Sequence, residues 1–331
     1  MSTQKYIGRR APVLDYNSIN ELIKKCRYDV RGELYLAAVK RANEGKEVIY
    51  TNVGNPHALG QVPLTFGRQV LALLMAPFLL DDPRVASTFP PDVITRARTY
   101  LSNIKGGLGA YSDSRGNPYV RGEVAAFIER QGPGIKVNID NIFVSNGASE
   151  CVRMFLNTII RNSSDGIMVP IPQYPLYSAA IGLYGGELCP YYLDEDAGWA
   201  LNMAELQRSI DESRAKKINV RALVFINPGN PTGQCLSADN IRDLLTFCYE
   251  NRLVLMADEV SSRLYDFTQF EYTIRLIAPS FIFLLFVHLF FIFCLIFRFT
   301  KRIFTTLAGL SSQRELLWPK WESPTTPALS F

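Results

Sequence analysis

The chain has little that could hold a metal ion. Its only histidines, His57 and His288, lie far apart, and its six cysteines (Cys26, Cys151, Cys189, Cys235, Cys248 and Cys294) form no C-x-x-C pair. No ligand set for structural zinc is present, and no metal is expected. Charge of one sign is also scarce: 35 Lys+Arg oppose 31 Asp+Glu, leaving +4. Without a basic face or an RNA-type motif, nucleic acid is not an expected partner. The start, MSTQKYIGRR, has no signal-peptide hydrophobic core. Scattered thiols in a chain of this size fit a reducing, intracellular compartment. A hydrophobic content of 48% and 12% aromatics over 331 residues exclude a disordered chain and suffice for one large or two modest domains.

Composition changes after Val260. Residues 1–260 carry 28 basic and 27 acidic residues, whereas residues 261–331 hold 12 of the 20 Phe. Within the latter, Leu276–Phe297 runs for 22 residues without formal charge, preceded by Arg275 and followed by Arg298, Lys301 and Arg302. Length and flanks make it a transmembrane candidate, though it lacks the small residues of a helix-packing face. It could also be a buried core segment, or sequence never selected to fold. The third is the expectation. Val-Ser directly after Asp-Glu is what a read-through splice donor would encode, and a Phe/Ile/Leu-rich stretch is what a T-rich intron would give.

Upstream, Ser18-Ile19-Asn20-Glu21 reads as a capping box starting a helix. A second helix is expected over about Arg31–Asn43, and a short strand over Glu47–Asn52. Helices are expected at Val70–Leu80, Pro91–Leu101 and Gly122–Arg130. From Asn141 onward short apolar strands (Ile142–Val144, Ile167–Val169, Leu188–Leu193, Ala222–Ile226, Leu253–Ala257) alternate with amphipathic helices. In one of these helices Ile241, Leu244, Leu245 and Cys248 repeat at i, i+3, i+4, i+7. This alternation implies an α/β fold built on a mostly parallel sheet. Ligands of such sheets sit at the carboxyl ends of the strands. Four polar clusters fall there: Asn146–Glu150, Gln173-Tyr174, Asn227–Gly233 and Asp258.

Each cluster alone has an ordinary structural explanation. Gly147-Ala148-Ser149 is either a plain N-cap turn or an anion site made of free N–H groups and a helix dipole. Asp258 is either solvated or held for a cation. Asn227–Gly233 is a rigid turn or a strained site. Tyr174 is a packed ring or a stacking face.

Together, with the longer stretches TNVGNPHALGQ (51–61), GGLGAYSDSRGNPYVRGEVAAFIER (106–130), VPIPQYPLYSA (169–179) and FINPGNPTGQCLS (225–237), they are more specific. Over residues 14–260 the chain resembles fold type I pyridoxal-phosphate aminotransferases of the alanine aminotransferase group. YDVRGELYLAA (28–38) and GQCLS (233–237) look most like glutamate–glyoxylate aminotransferases. The resemblance implies an N-terminal helical arm (1–50) and a partial cofactor-binding large domain (51–260), then a non-homologous tail (261–331). It also implies the residue assignments. Backbone N–H groups of Ala148 and Ser149, with the Ser149 hydroxyl, would hold the cofactor phosphate. Tyr174 would stack on the ring, Asn230 would bond its 3′ oxygen, and Asp258 would pair with the ring nitrogen. Tyr111 would reach the phosphate of a second subunit, implying a homodimer. Gly54 and Asn55 would approach the substrate carboxylate. The implied substrates are L-alanine or L-glutamate with a 2-oxo acid such as 2-oxoglutarate, pyruvate or glyoxylate.

The resemblance stops inside a motif. The family continues D-E-V-Y, but here Ser261 follows Val260. The Ser-Lys loop carrying the Schiff-base lysine and the substrate-clamping arginine are both missing. After Val260 the only lysines are Lys301 and Lys320, neither preceded by serine. The chain is therefore expected to lack turnover, with a non-catalytic cofactor-binding or membrane-associated module, or an unstable product, as alternatives. An incomplete sheet with an exposed apolar edge is expected as well. Peroxisome or cytoplasm is implied by resemblance, although the ending Ala-Leu-Ser-Phe is no S-K-L address.

Overall fold

A computed structural model describes residues 15–26, 28, 32–50, 57, 60–109, 111–131, 136–259, 282–287 and 293–296. All belong to one compact unit, Met1–Arg298. The helices are α1 (Glu21–Lys25), α2 (Glu33–Asn43), α3 (Phe66–Met75), α4 (Val85–Thr88), α5 (Pro91–Asn103) and α6 (Pro118–Gln131). Then come β1 (Ile142–Ser145), α7 (Ala148–Ile159), β2 (Asp165–Ile171), α8 (Leu176–Leu183), β3 (Glu187–Tyr192), α9 (Met203–Ala215), β4 (Asn219–Asn227), α10 (Ala238–Glu250) and β5 (Val254–Glu259). Two more strands follow, β6 (Ile282–Val287) and β7 (Phe293–Ile296).

The strands form one sheet in the order β1-β7-β6-β5-β4-β2-β3. Strands β2 to β6 pair in parallel, while β7 runs antiparallel to both β6 and β1. Strand β4 explains why helices must cover both faces: after its first three residues it is buried throughout, as expected of a parallel strand with no solvent face. Ala222, Val224 and Ile226 point to one core with Met256, Val152 and Tyr177 from α7 and α8. Leu223 and Phe225 point to the other with α6, α9 and α10. A smaller core joins α3 to α5 through Leu73, Val93 and Ala97. The mostly parallel α/β fold is thus as the alternation of strands and helices implied.

Several local expectations differ. The cap of α1 is Asn20, whose side chain accepts from Leu22 N; Ser18 instead closes a turn with Asp15. Residues 47–50 form no strand, and Ile49 is 83% exposed, so its apolar side chain has no sheet to join. The helix expected over Val70–Leu80 is two pieces, because Ala76, before Pro77, is pushed out of helical geometry at φ −130°, ψ 66°.

The tail differs most. Ile282–Val287 and Phe293–Ile296 lie inside the run read as a spanning segment, yet they are strands. β6 pairs along β5, Leu255 opposite Ile282 through Glu259 opposite Phe286, so the expected bare edge is covered. No helix among the described residues is long and apolar enough to cross a membrane. Within Leu276–Phe297 these ten residues are strands of the sheet, not part of a helix.

Candidate functional site

The carboxyl ends of β5, β4 and β2 carry the expected polar clusters, and Asp258 is central. Alternation along β5 puts it on the face of Met256, toward α7 and α8. The Tyr177 hydroxyl donates a 2.5 Å hydrogen bond to Asp258 Oδ2. Asp258 is buried, and its Oδ1 has no partner. Burial pushes its pKa up to about 6, which the Tyr177 bond partly opposes. Burial, then the charge of Asp258, raises the Tyr177 phenol well above its ordinary range, so it stays a donor. The result is an enclosed carboxylate fixed at one oxygen and open at the other.

Tyr174 stands three residues earlier, half-buried against the same core as Ala148. Its hydroxyl shares a 2.6 Å hydrogen bond with Tyr28, the rings meeting edge to face at 6.2 Å. Burial, then the Tyr174 bond, pushes the Tyr28 phenol up to about 12. At β1, Ser145 Oγ donates to Gly147 O (3.0 Å) before the chain enters α7. Gly147 caps α7 at φ 139°, a conformation that penalises any side chain. Ala148 and Ser149 thus form the first turn of a 12-residue helix, with N–H groups and positive dipole end at the strand ends.

Asn230 is exposed, in a turn stitched by Gly229 N to Gln234 O and Gly233 N to Gly229 O, both 2.8 Å. It lines a small cavity with Pro172, Tyr191, Phe225 and Gln234. A Cβ at Gly229 would overlap the Gln234 side-chain oxygen, which would have to shift. Pairing of Ile226 with Asp258 and Asn227 with Glu259 brings this turn beside the β5 end.

Tyr111 is fully exposed, at φ 63°, and meets none of the other candidates among the described residues. The following loop is rigid. Arg121, 2% exposed, donates to Gly116 O (3.0 Å), Ile139 O (2.6 Å) and Asp113 Oδ2 (3.2 Å). Gly116 sits so close to β1 that a Cβ would meet Val144 Cβ at 2.7 Å. Gly54 and Asn55 lie outside the described residues.

Three residues at the site were not singled out from sequence: Tyr177, Tyr28 and Glu259. The signal for Tyr177 was its position three residues after Tyr174, one helical turn away. Tyr28 had no local signal, because its contact spans 146 residues.

A mostly parallel sheet with helices on both faces thus carries an enclosed carboxylate and a helix N-terminus at its strand ends. The family model described as aminotransferase class I and II matches residues 81–265, and the chain belongs to that family, whose enzymes use pyridoxal phosphate. Glutamate–glyoxylate aminotransferase 1 of Arabidopsis thaliana is 61% identical over 247 residues, 75% of this chain and 51% of that protein. Alanine aminotransferase 2 of Panicum miliaceum is 47% identical over 260 residues, 76% of this chain and 54% of that protein. The chain spans about half the length of these curated relatives. Among solved structures, an Escherichia coli aminotransferase superposes with a TM-score of 0.64 at 23% identity, over 91% of this chain and 68% of that one. Alanine aminotransferase from Pyrococcus furiosus gives 0.63 at 19%, over 84% and 63%. At such identities these two structures speak to the fold alone.

Proposed function

We propose that this chain holds pyridoxal 5′-phosphate at the carboxyl ends of its sheet. In whole proteins of this kind the site would move an amino group from L-alanine or L-glutamate to a 2-oxo acid such as 2-oxoglutarate, pyruvate or glyoxylate. The observation that carries the reading is Asp258. A buried carboxylate with one oxygen held by Tyr177 and the other without a partner has the donor demand that a protonated ring nitrogen meets. The first turn of α7 has the complementary demand for an anion.

When bound, the cofactor supplies an electron-accepting ring that stabilises negative charge developing beside it. Asp258 would keep that ring cationic, Tyr174 would pack on its face, and Asn230 would donate to its 3′ oxygen. Ala148 and Ser149 N–H, with the Ser149 hydroxyl, would hold the phosphate. Tyr111, exposed at the surface, would reach the phosphate bound by a second copy, making the working unit a homodimer. Gly54 and Asn55 would orient the substrate carboxylate.

For the 331-residue chain itself we infer reversible cofactor binding without turnover. Lys301 and Lys320 are the only lysines after Val260, and neither stands in a Ser-Lys sequence. Without an amine at the ring carbonyl, the proton transfer that transamination requires has no base. Purified protein with pyridoxal phosphate, alanine and 2-oxoglutarate is expected to form no glutamate; sustained formation would overturn the inference. Titration with pyridoxal phosphate should raise the melting temperature of the wild type and not that of Asp258→Ala. An equal rise in both would contradict the placement.

A further inference from the structure

Tyr28 lies between α1 and α2, 146 residues before Tyr174, yet the two hydroxyls are 2.6 Å apart. It does not arrive there alone. Three contacts follow one another along α8, in the reverse order of the chain. Leu22 Cδ1 would lie 3.6 Å from a Cβ at Gly185, two residues past the end of α8. Cys26 Sγ donates to Ala179 O at 3.4 Å, within the helix. Tyr28 then meets Tyr174, two residues before the helix begins. Since α1 buries no residue of its own, residues 22–28 lie on α8 as a strap, and Tyr28 is its end.

That end bears on the candidate site. Tyr174 packs only partly against the core of α7 and α8. Such packing sets the tilt of its ring loosely, because rotation about the bond joining Cβ to a tyrosine ring is broad in energy. A partner at the hydroxyl, the far end of the ring, removes that freedom. Tyr28 adds a second constraint: the rings meet edge to face, at 6.2 Å and 81°, an arrangement aromatic pairs favour.

We propose that Tyr28 is a positioning residue: through its hydroxyl it fixes the tilt of the Tyr174 ring, so that the strap over residues 22–28 orders the surface on which a cofactor ring would stack. The value of that order for binding rests on the proposed function. The tether itself does not, so it is read first without cofactor.

Wild type, Tyr28→Phe, Tyr174→Phe and the double variant of the full chain form one cycle, in which Phe keeps each ring and removes one hydroxyl. Trypsin cleavage after Lys25, inside the strap, follows its local opening, and cleavage after Lys217 is the internal control. Tyr28→Phe should speed cleavage after Lys25 about fivefold in the wild type and less than twofold in Tyr174→Phe, where the bond is already gone. Equal acceleration in both backgrounds, or none in the wild type, would overturn the tether. With pyridoxal phosphate, Tyr28→Phe should raise the dissociation constant about fivefold in the wild type and leave it unchanged in Tyr174→Phe. An unchanged constant in the wild type, or the same rise in both backgrounds, would overturn the positioning role. If the wild type binds no pyridoxal phosphate, the proposed function fails and the cleavage cycle alone decides the tether: coupling supports it and additivity overturns it.

Discussion

Tyr177 and Asp258, 81 residues apart in sequence, meet at 2.5 Å. This contact ties the start of α8 to the end of β5 and leaves the second carboxylate oxygen without a partner. Tyr177→Phe removes the donor with little change of shape. It should destabilise the chain by about 1–3 kcal/mol and raise the pKa of Asp258 further, because the Tyr177 bond is what opposes burial. Pyridoxal phosphate binding, which needs ionised Asp258, should then require higher pH in the variant. The shift is read between wild type and variant, in which the cofactor's own titration is common. Coincident profiles would show that the phenol does not tune the carboxylate.

Asp258 and Glu259 both have raised folded-state pKa values, about 6 and about 8. Their stabilising effect as neutral groups is full below their ordinary range near pH 4 and is lost as pH rises through those values. The urea midpoint should therefore fall between about pH 4 and pH 8. Asp258→Asn should flatten the lower part of the fall, on the order of 3 kcal/mol, and Glu259→Gln the upper, on the order of 5 kcal/mol. Asp165, whose carboxyl Arg161 and Asn219 hold well below the usual range, works with the opposite sign. Its contribution is present above about pH 4 and is lost in stronger acid. A midpoint rising steadily from pH 4 to pH 8 would contradict these assignments.

Arg121 links three partners around the loop after Tyr111. Arg121→Ala leaves Asp113 and two carbonyls short of a donor and should cost about 3 kcal/mol. Far-UV circular dichroism with urea melts checks this, and a loss below about 0.5 kcal/mol, typical of a surface change, would mean that the loop is held by other contacts.

The strands β6 and β7 put residues 282–287 and 293–296 of the tail in the sheet. A chain ending at residue 260 would bare the β5 edge. It should self-associate and melt at lower urea than the full chain. Equal solubility and midpoint in both would show that the tail strands add nothing.

Much of this architecture was legible because local rules and tertiary packing agree. β4 is apolar on both faces because both faces are covered, and α10 repeats its apolar residues at helical spacing because one side packs on Leu255 and Ala257. Ser145–Glu150 was readable as a strand-to-helix turn because only glycine suits φ 139°. Reading failed where the deciding partner is remote. Glu47–Tyr50 has strand-like residues but no neighbouring strand. Ten residues of the tail's charge-free run form strands that pair with β5 and β1, edges that no local pattern records. Tyr28 and Tyr177 belong to the site through contacts spanning 146 and 81 residues, and their local sequence resembles ordinary packing.

The central claim is a pyridoxal-phosphate cradle without an anchoring lysine. The most direct test is to titrate the purified 331-residue chain with pyridoxal phosphate, reduce half with borohydride, dialyse both halves and map peptides by mass. The expected result is saturable binding that dialysis removes, with no residue stoichiometrically labelled after reduction. Absence of binding, or one lysine carrying the reduced cofactor in full yield, would contradict it.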